Sequence, residues 1–181
     1  MVAAWARVIA AVPGSRLLLK ARPLNDPATR AQYQAQFEAA GISADRLILQ
    51  SSAVSWTDHM AHYAAVDIGL DPFPYNGTTT TCDALWMGVP VVTLRGDRHA
   101  ARVGASLLAQ LGLDALIADD LAGYIATAAA LAADRPRLSA LRAGLRDRLA
   151  GSPLGDAAGF TRALESTYRD LWRRWCARRP G

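Results

Sequence analysis

Lysine is almost missing from these 181 residues: Lys20 is the single one, and arginine supplies 19 of the 20 basic side chains. Cysteine is equally scarce. Cys82 and Cys176 lie far apart, outside any CxxC or Cys/His cluster, which excludes a disulfide framework and a cysteine-based metal site. No HxH or HExxH pairs the histidines, no Ser-His-Asp or Cys-His ordering is visible, and no metal is expected. No G-x-G-x-x-G follows the first apolar strand and no Walker A motif occurs, which disfavours a dinucleotide cofactor and a P-loop. No apolar run approaches the ~20 residues of a membrane span. The opening MVAAWARVIAAVPGS lacks the basic start of a signal peptide, and Arg7 interrupts its apolar part. It reads as an amphipathic helix, so a cytoplasmic protein with no membrane partner is expected.

What is present suits a globular chain. Half the residues are hydrophobic and a fifth are charged, which supports one domain over 1–181 with a real core. The net charge of +4 is uneven: +6 over residues 134–181 and −2 over residues 1–133. A basic tail can mark a nucleic-acid partner. Here the aromatic spacing suits helix packing, so the arginines read as the solvated face of amphipathic helices and no nucleic acid is expected.

Hydrophobic periodicity predicts helices over 2–12, 27–40, 57–65, 80–87, 100–110, 121–133, 136–150 and 156–178, and strands over 16–21, 46–49, 66–70, 89–94 and 115–118. Residues 51–55 form a polar connection. Asp26-Pro27 is a helix entry, and Gly41 and Gly88 are helix stops. The alternation of helix and strand implies an α/β fold: a Rossmann-like parallel sheet with flanking helices, followed by C-terminal helices over about 134–181 that pack on it. In such sheets ligands bind beyond the strand C-termini. The loops at Arg22, Ser51, 71–80 and 95–99 all follow strands and should share one edge.

The centre of the chain is AVDIGLDPFPYNGTTTTCDALWMGVPVVTL. Asn76, Gly77 and the threonines Thr78, Thr79 and Thr80 bring a flexible backbone and hydroxyls to a helix start, where unpaired N–H groups and the positive end of the helix dipole suit a phosphate. Thr80-x-x-Asp83 also has a capping-box shape, so the same residues serve equally as a cap that binds nothing. Asp83 is a cap carboxylate or an acceptor for sugar hydroxyls. His59 lies in the helix after Ser55, and Arg98 and Arg102 lie in the loop after the next strand, available for an anion.

The same stretch closely resembles the C-terminal catalytic region of the O-linked N-acetylglucosamine transferase family, whose bacterial members are often SPINDLY-like. The resemblance continues through GDRHAARVGASLLAQLGL, the SPL at 152–154 and YRDLWRRW, and upstream through PGSRLLLKA and ADRLIL. It implies the C-terminal, donor-binding half of a two-lobed GT-B glycosyltransferase. Such an enzyme transfers N-acetylglucosamine from UDP-GlcNAc to Ser or Thr hydroxyls of acceptor proteins, with inversion and without metal or other cofactor. By motif position, Thr79 and Thr80 match diphosphate contacts, Asp83 a ribose contact and His59 a residue beside the uracil. Thr78 stands where some members have His, and His62 where another base contact can occur. The family's phosphate-neutralising lysine falls on a segment not present in this sequence, and Lys20 matches a different strand. The family's tetratricopeptide repeats and first Rossmann half are not present either. The resemblance therefore also implies an N-terminal catalytic lobe as partner, or self-association. The alternative is a catalytically incomplete UDP-sugar-binding module.

Overall fold

The structure, a computed structural model, describes residues 1–52 and 55–178. Part of the polar connection expected over 51–55 lies outside them. Helix α1 (Val2–Ala11) buries Ala4, Ala6, Val8 and Ile9 on one face. Its C-terminal carbonyls are capped from afar: the Arg46 guanidinium donates to the carbonyls of Ile9 (2.7 Å), Val12 (2.9 Å) and Ser15 (2.9 Å). Strand β1 (Leu17–Lys20) follows. Helix α2 (Pro27–Ala39) opens where Asp26 accepts the Thr29 N–H at 2.8 Å, with Pro27 supplying a pre-set first turn. It crosses to β2 (Leu47–Gln50), which pairs with β1 in parallel, Leu17 opposite Leu47.

Ser55 caps α3 (Trp56–Ala61) through the Asp58 N–H, and a 3-10 turn (His62–Ala65) leads to β3 (Gly69–Leu70). Then come α4 (Thr79–Trp86), β4 (Val91–Leu94), α5 (Val103–Gln110), β5 (Ile117–Ala118), α6 (Leu121–Ala133), α7 (Arg135–Ala150) and α8 (Ala157–Ala177). Gly88 takes the left-handed conformation (φ 77°) that ends α4 as the sequence predicts. β3, β4 and β5 form a parallel ladder in that order. The main core lies between this ladder and its helices, where Leu85, Val89, Val92, Leu108, Leu116, Tyr124, Leu131 and Leu145 are almost wholly buried. Burying each such large apolar side chain contributes about 1.5–3 kcal/mol. No helix among the described residues is long and apolar enough to cross a membrane.

Four details differ from expectation. The strand expected over 66–70 is laddered at two residues only, since its partner β4 begins at Val91, opposite Gly69, and the Val66 carbonyl is taken instead by the Arg142 guanidinium of α7 at 2.6 Å. The strand expected over 115–118 begins as a 3-10 turn (Asp114–Leu116). The sheet is hydrogen-bonded in two pieces, β1–β2 and β3–β4–β5. A groove of about 680 Å³ runs between β1 and β3, floored by Trp5, Val8, Ile9 and Val12. Finally, α7 packs on the domain through Leu145 and Leu149, but α8 buries none of its residues. Its apolar face, with Phe160, Tyr168, Leu171 and Trp172, stands exposed.

Candidate functional site

Parallel pairing brings the C-terminal ends of β3, β4 and β5 to one edge, and the chain leaving β3 turns there. Asp71 is the first residue after the strand and is 2% exposed. Its N–H donates to the Val92 carbonyl at 2.9 Å, and its own carbonyl accepts from the Tyr124 hydroxyl at 3.1 Å. Its carboxylate is used twice more: Oδ1 accepts the Gly77 N–H at 2.7 Å and Oδ2 accepts the Thr93 hydroxyl at 2.6 Å. Burial pushes the Asp71 carboxyl up from its ordinary value, with the Thr93 and Gly77 hydrogen bonds opposing. Asn76 is also buried. Its N–H donates to Ala100, its Nδ2 donates to the Pro72 carbonyl, and its Oδ1 accepts the Gly104 N–H at 3.4 Å. Asn76 and the Gly77 amide, both expected to face a ligand, thus turn inward and shape the loop. A Cβ on Gly77 would stand 2.6 Å from Thr80 Oγ1, so a side chain here would force the threonine to shift.

The loop delivers the chain to α4 with Thr78 as N-cap residue and without a side-chain cap bond. The capping box expected from Thr80 and Asp83 does not form, because Thr80 lies inside the helix and Asp83 faces His59. The first backbone bond of the turn runs from the Cys82 N–H to the Thr78 carbonyl. In such a turn the preceding amides point out of the helix end, where the dipole is positive. Thr78, Thr79 and Thr80 are exposed beside them, while Thr81 is buried and donates its hydroxyl to the Gly77 carbonyl.

Helix α3 supplies the neighbouring wall. His59 Nε2 stands 3.5 Å from Asp83 Oδ2, with side chains 30% and 19% exposed. Tyr63 meets the His59 ring edge-on at 5.5 Å and donates its hydroxyl to the Thr80 carbonyl. Burial, and secondly the Asp83 charge, push the Tyr63 hydroxyl up to about 12, so it remains a donor at neutral pH. Lys20, at the end of β1, places Nζ 2.9 Å from His59 Nδ1. Lys20, His59, Tyr63 and Thr80 line one groove of about 580 Å³.

His59, Thr80 and Asp83 are therefore brought together, with Thr78 and Thr79 on the adjoining turn. The other candidate residues are engaged locally. His62 hydrogen-bonds the Asp58 carbonyl, Arg98 pairs with Asp97 at 3.2 Å, and Arg102 donates to the Gly96 carbonyl. No group of three His, Cys, Asp or Glu side chains suited to a metal occurs among the described residues. Sequence reasoning set Lys20 aside and passed over Tyr63 and Asp71. Only Lys20 carried a signal, being a sole lysine at a strand's C-terminal end.

Fold and site define a Rossmann-like unit whose strand-end loop leads into a helix start with exposed threonines, with a His–Asp pair alongside. The chain belongs to glycosyl transferase family 41, whose sequence model matches residues 1–164. It is 47% identical, over 95% of its length, to the probable UDP-N-acetylglucosamine–peptide N-acetylglucosaminyltransferase SPINDLY of Petunia hybrida. It is 32% identical, over 98%, to the SEC protein of the same description from Arabidopsis thaliana. In each case it spans 18% of the relative's length. A solved point mutant of the Thermobaculum terrenum O-GlcNAc transferase superposes with a TM-score of 0.92 at 40% identity, covering 97% of this chain and 34% of that one. The expected α/β fold, parallel sheets flanked by helices as in that O-GlcNAc transferase, is the fold observed.

Proposed function

We propose that this chain is the donor-binding half of a protein O-GlcNAc transferase. It holds UDP-GlcNAc while the sugar passes, with inversion and without a metal, to a Ser or Thr hydroxyl of an acceptor protein. A cytoplasmic setting belongs to the same proposal. The relatives' descriptions support the substrate class. The observation that carries it is the exposure of Thr78, Thr79 and Thr80 at the open end of α4, beside His59 and Asp83. Negative charge develops on the diphosphate as the glycosidic bond breaks. Pre-oriented amides and hydroxyls around it stabilise the transition state, and loss of one such donor costs on the order of 10²–10³ in rate. His59 and Asp83 would flank the nucleoside, the carboxylate accepting from ribose hydroxyls.

The exposed apolar face of α8 favours a second arrangement, a UDP-sugar-binding unit that docks on a separate catalytic lobe or on another copy of itself before turnover. Isothermal titration of the folded chain with UDP tests the binding step: saturable heat is expected, and none at millimolar ligand refutes the site. Glycosylation of a Ser/Thr peptide by the chain alone, against none, separates an active enzyme from the binding unit.

A further inference from the structure

Lys20 lies outside every set of site residues the sequence suggests, yet it makes the shortest polar contact to His59. We propose that Lys20 is a positioning residue of the nucleotide site, holding the His59 imidazole as its Nε2–H tautomer with that N–H turned to Asp83. The inference rests on the donor-site assignment above and adds a residue and a proton location to it.

The chemistry leaves one arrangement. An ammonium has three donors and no acceptor, so at 2.9 Å His59 Nδ1 accepts. A neutral imidazole that accepts on Nδ1 carries its proton on Nε2. Nε2 stands 3.5 Å from Asp83 Oδ2. Donation thus runs one way, from Lys20 to His59 and toward Asp83, leaving the other carboxylate oxygen for ligand hydroxyls. The remaining faces are accounted for. Tyr63 meets the ring edge-on, His62 is turned to the Asp58 carbonyl, and the Asp58 charge acts on Lys20 against the effect of burial. Lys20 is the last residue of β1, paired with Gln50, so the strand fixes where the ammonium enters the groove. Without it, His59 is free to exchange tautomers and to rotate its ring.

The test compares wild type, K20M and K20R by long-range nitrogen–proton NMR of the His59 ring and by UDP titration. Wild type should show the Nε2–H tautomer alone. K20M should show both tautomers and bind UDP roughly tenfold more weakly, the order of one hydrogen bond to a charged group. K20R, also a pure donor, should restore the tautomer and most of the affinity. A K20M variant that keeps the single tautomer overturns the proposal, as does one that loses it while binding UDP as tightly as wild type. Absence of UDP binding by folded wild type refutes the donor-site assignment itself. That result differs from wild type and K20M binding equally, which refutes only the role of Lys20.

Discussion

Replacing Asp71 with alanine should loosen the loop that presents the threonines. The substitution strips the acceptors from the Gly77 N–H at 2.7 Å and the Thr93 hydroxyl at 2.6 Å, and Thr93 is fully buried. A buried donor left unpaired costs about 1–3 kcal/mol, so two cost roughly 2–6 kcal/mol. Removing a buried carboxylate returns part of this, because its desolvation already raises the Asp71 pKa. A net loss of about 3 kcal/mol follows, which at ~2–4 °C per kcal/mol for a chain of this size lowers Tm by roughly 6–12 °C. Asp71→Asn is the control. Its Oδ1 still accepts from Gly77 and its Nδ2 can donate to the Thr93 oxygen, so a change within about 1 kcal/mol is expected. Thermal melts followed by circular dichroism, with urea midpoints as a second measure, read both variants. An Asp71→Ala protein melting within about 2 °C of wild type, or an Asp71→Asn protein as unstable as the alanine variant, refutes the buried-anchor account.

The same carboxylate predicts a pH signature. Its folded-state pKa is raised, so its stabilising contribution is full below the unfolded value of 3.8 and is lost as pH rises through the folded value. The stability of wild type relative to Asp71→Asn should therefore decline from the acid end upward, and a flat or rising difference in urea titrations contradicts this. Gly104→Ala would set a Cβ 2.2 Å from Asp71 Oδ2 and 2.4 Å from Thr93 Oγ1. It should cost about 1–3 kcal/mol by overpacking, and an unchanged melt would show that the cluster yields. Arg46→Met uncaps α1 and should cost about 2 kcal/mol, the order of hydrogen bonds from a charged group. Amide exchange at the last turn of α1 should rise more than exchange in β4, and uniform change would remove the capping role. His59→Ala and Asp83→Asn should each weaken UDP binding roughly tenfold with little change in melting. A large loss of stability without selective loss of affinity would make the pair structural.

The sequence announced this fold wherever the signals are local. Asp26-Pro27, Gly41 and Gly88 mark helix boundaries by chemistry that acts within one turn, and all three are used as read. The partner of the Val66 carbonyl could not be anticipated, because Arg142 lies on a helix 76 residues further on. Several C-terminal arginines are likewise more than a solvated face. Arg142, Arg146 and Arg148 donate to the carbonyls of Val66, Trp86 and Leu111. At the site, the exposure of Thr78, Thr79 and Thr80 at the start of α4 is as the sequence suggests, because hydroxyls and an Asn-Gly pair mark a helix start locally. Asn76 was misplaced because an Asn-Gly pair gives no sign of which way the amide faces. Asp71 and Lys20 act through Thr93 and His59, partners that only strand pairing and helix placement bring within reach.

The most direct measurement follows the backbone amides of Thr78 to Cys82 by NMR during titration with UDP and, separately, with uridine. If the open end of α4 grips a diphosphate, UDP shifts these amides in a saturable way and uridine leaves them nearly unmoved while still perturbing His59. Equal shifts with both ligands, or none with either in a folded sample, would contradict that assignment.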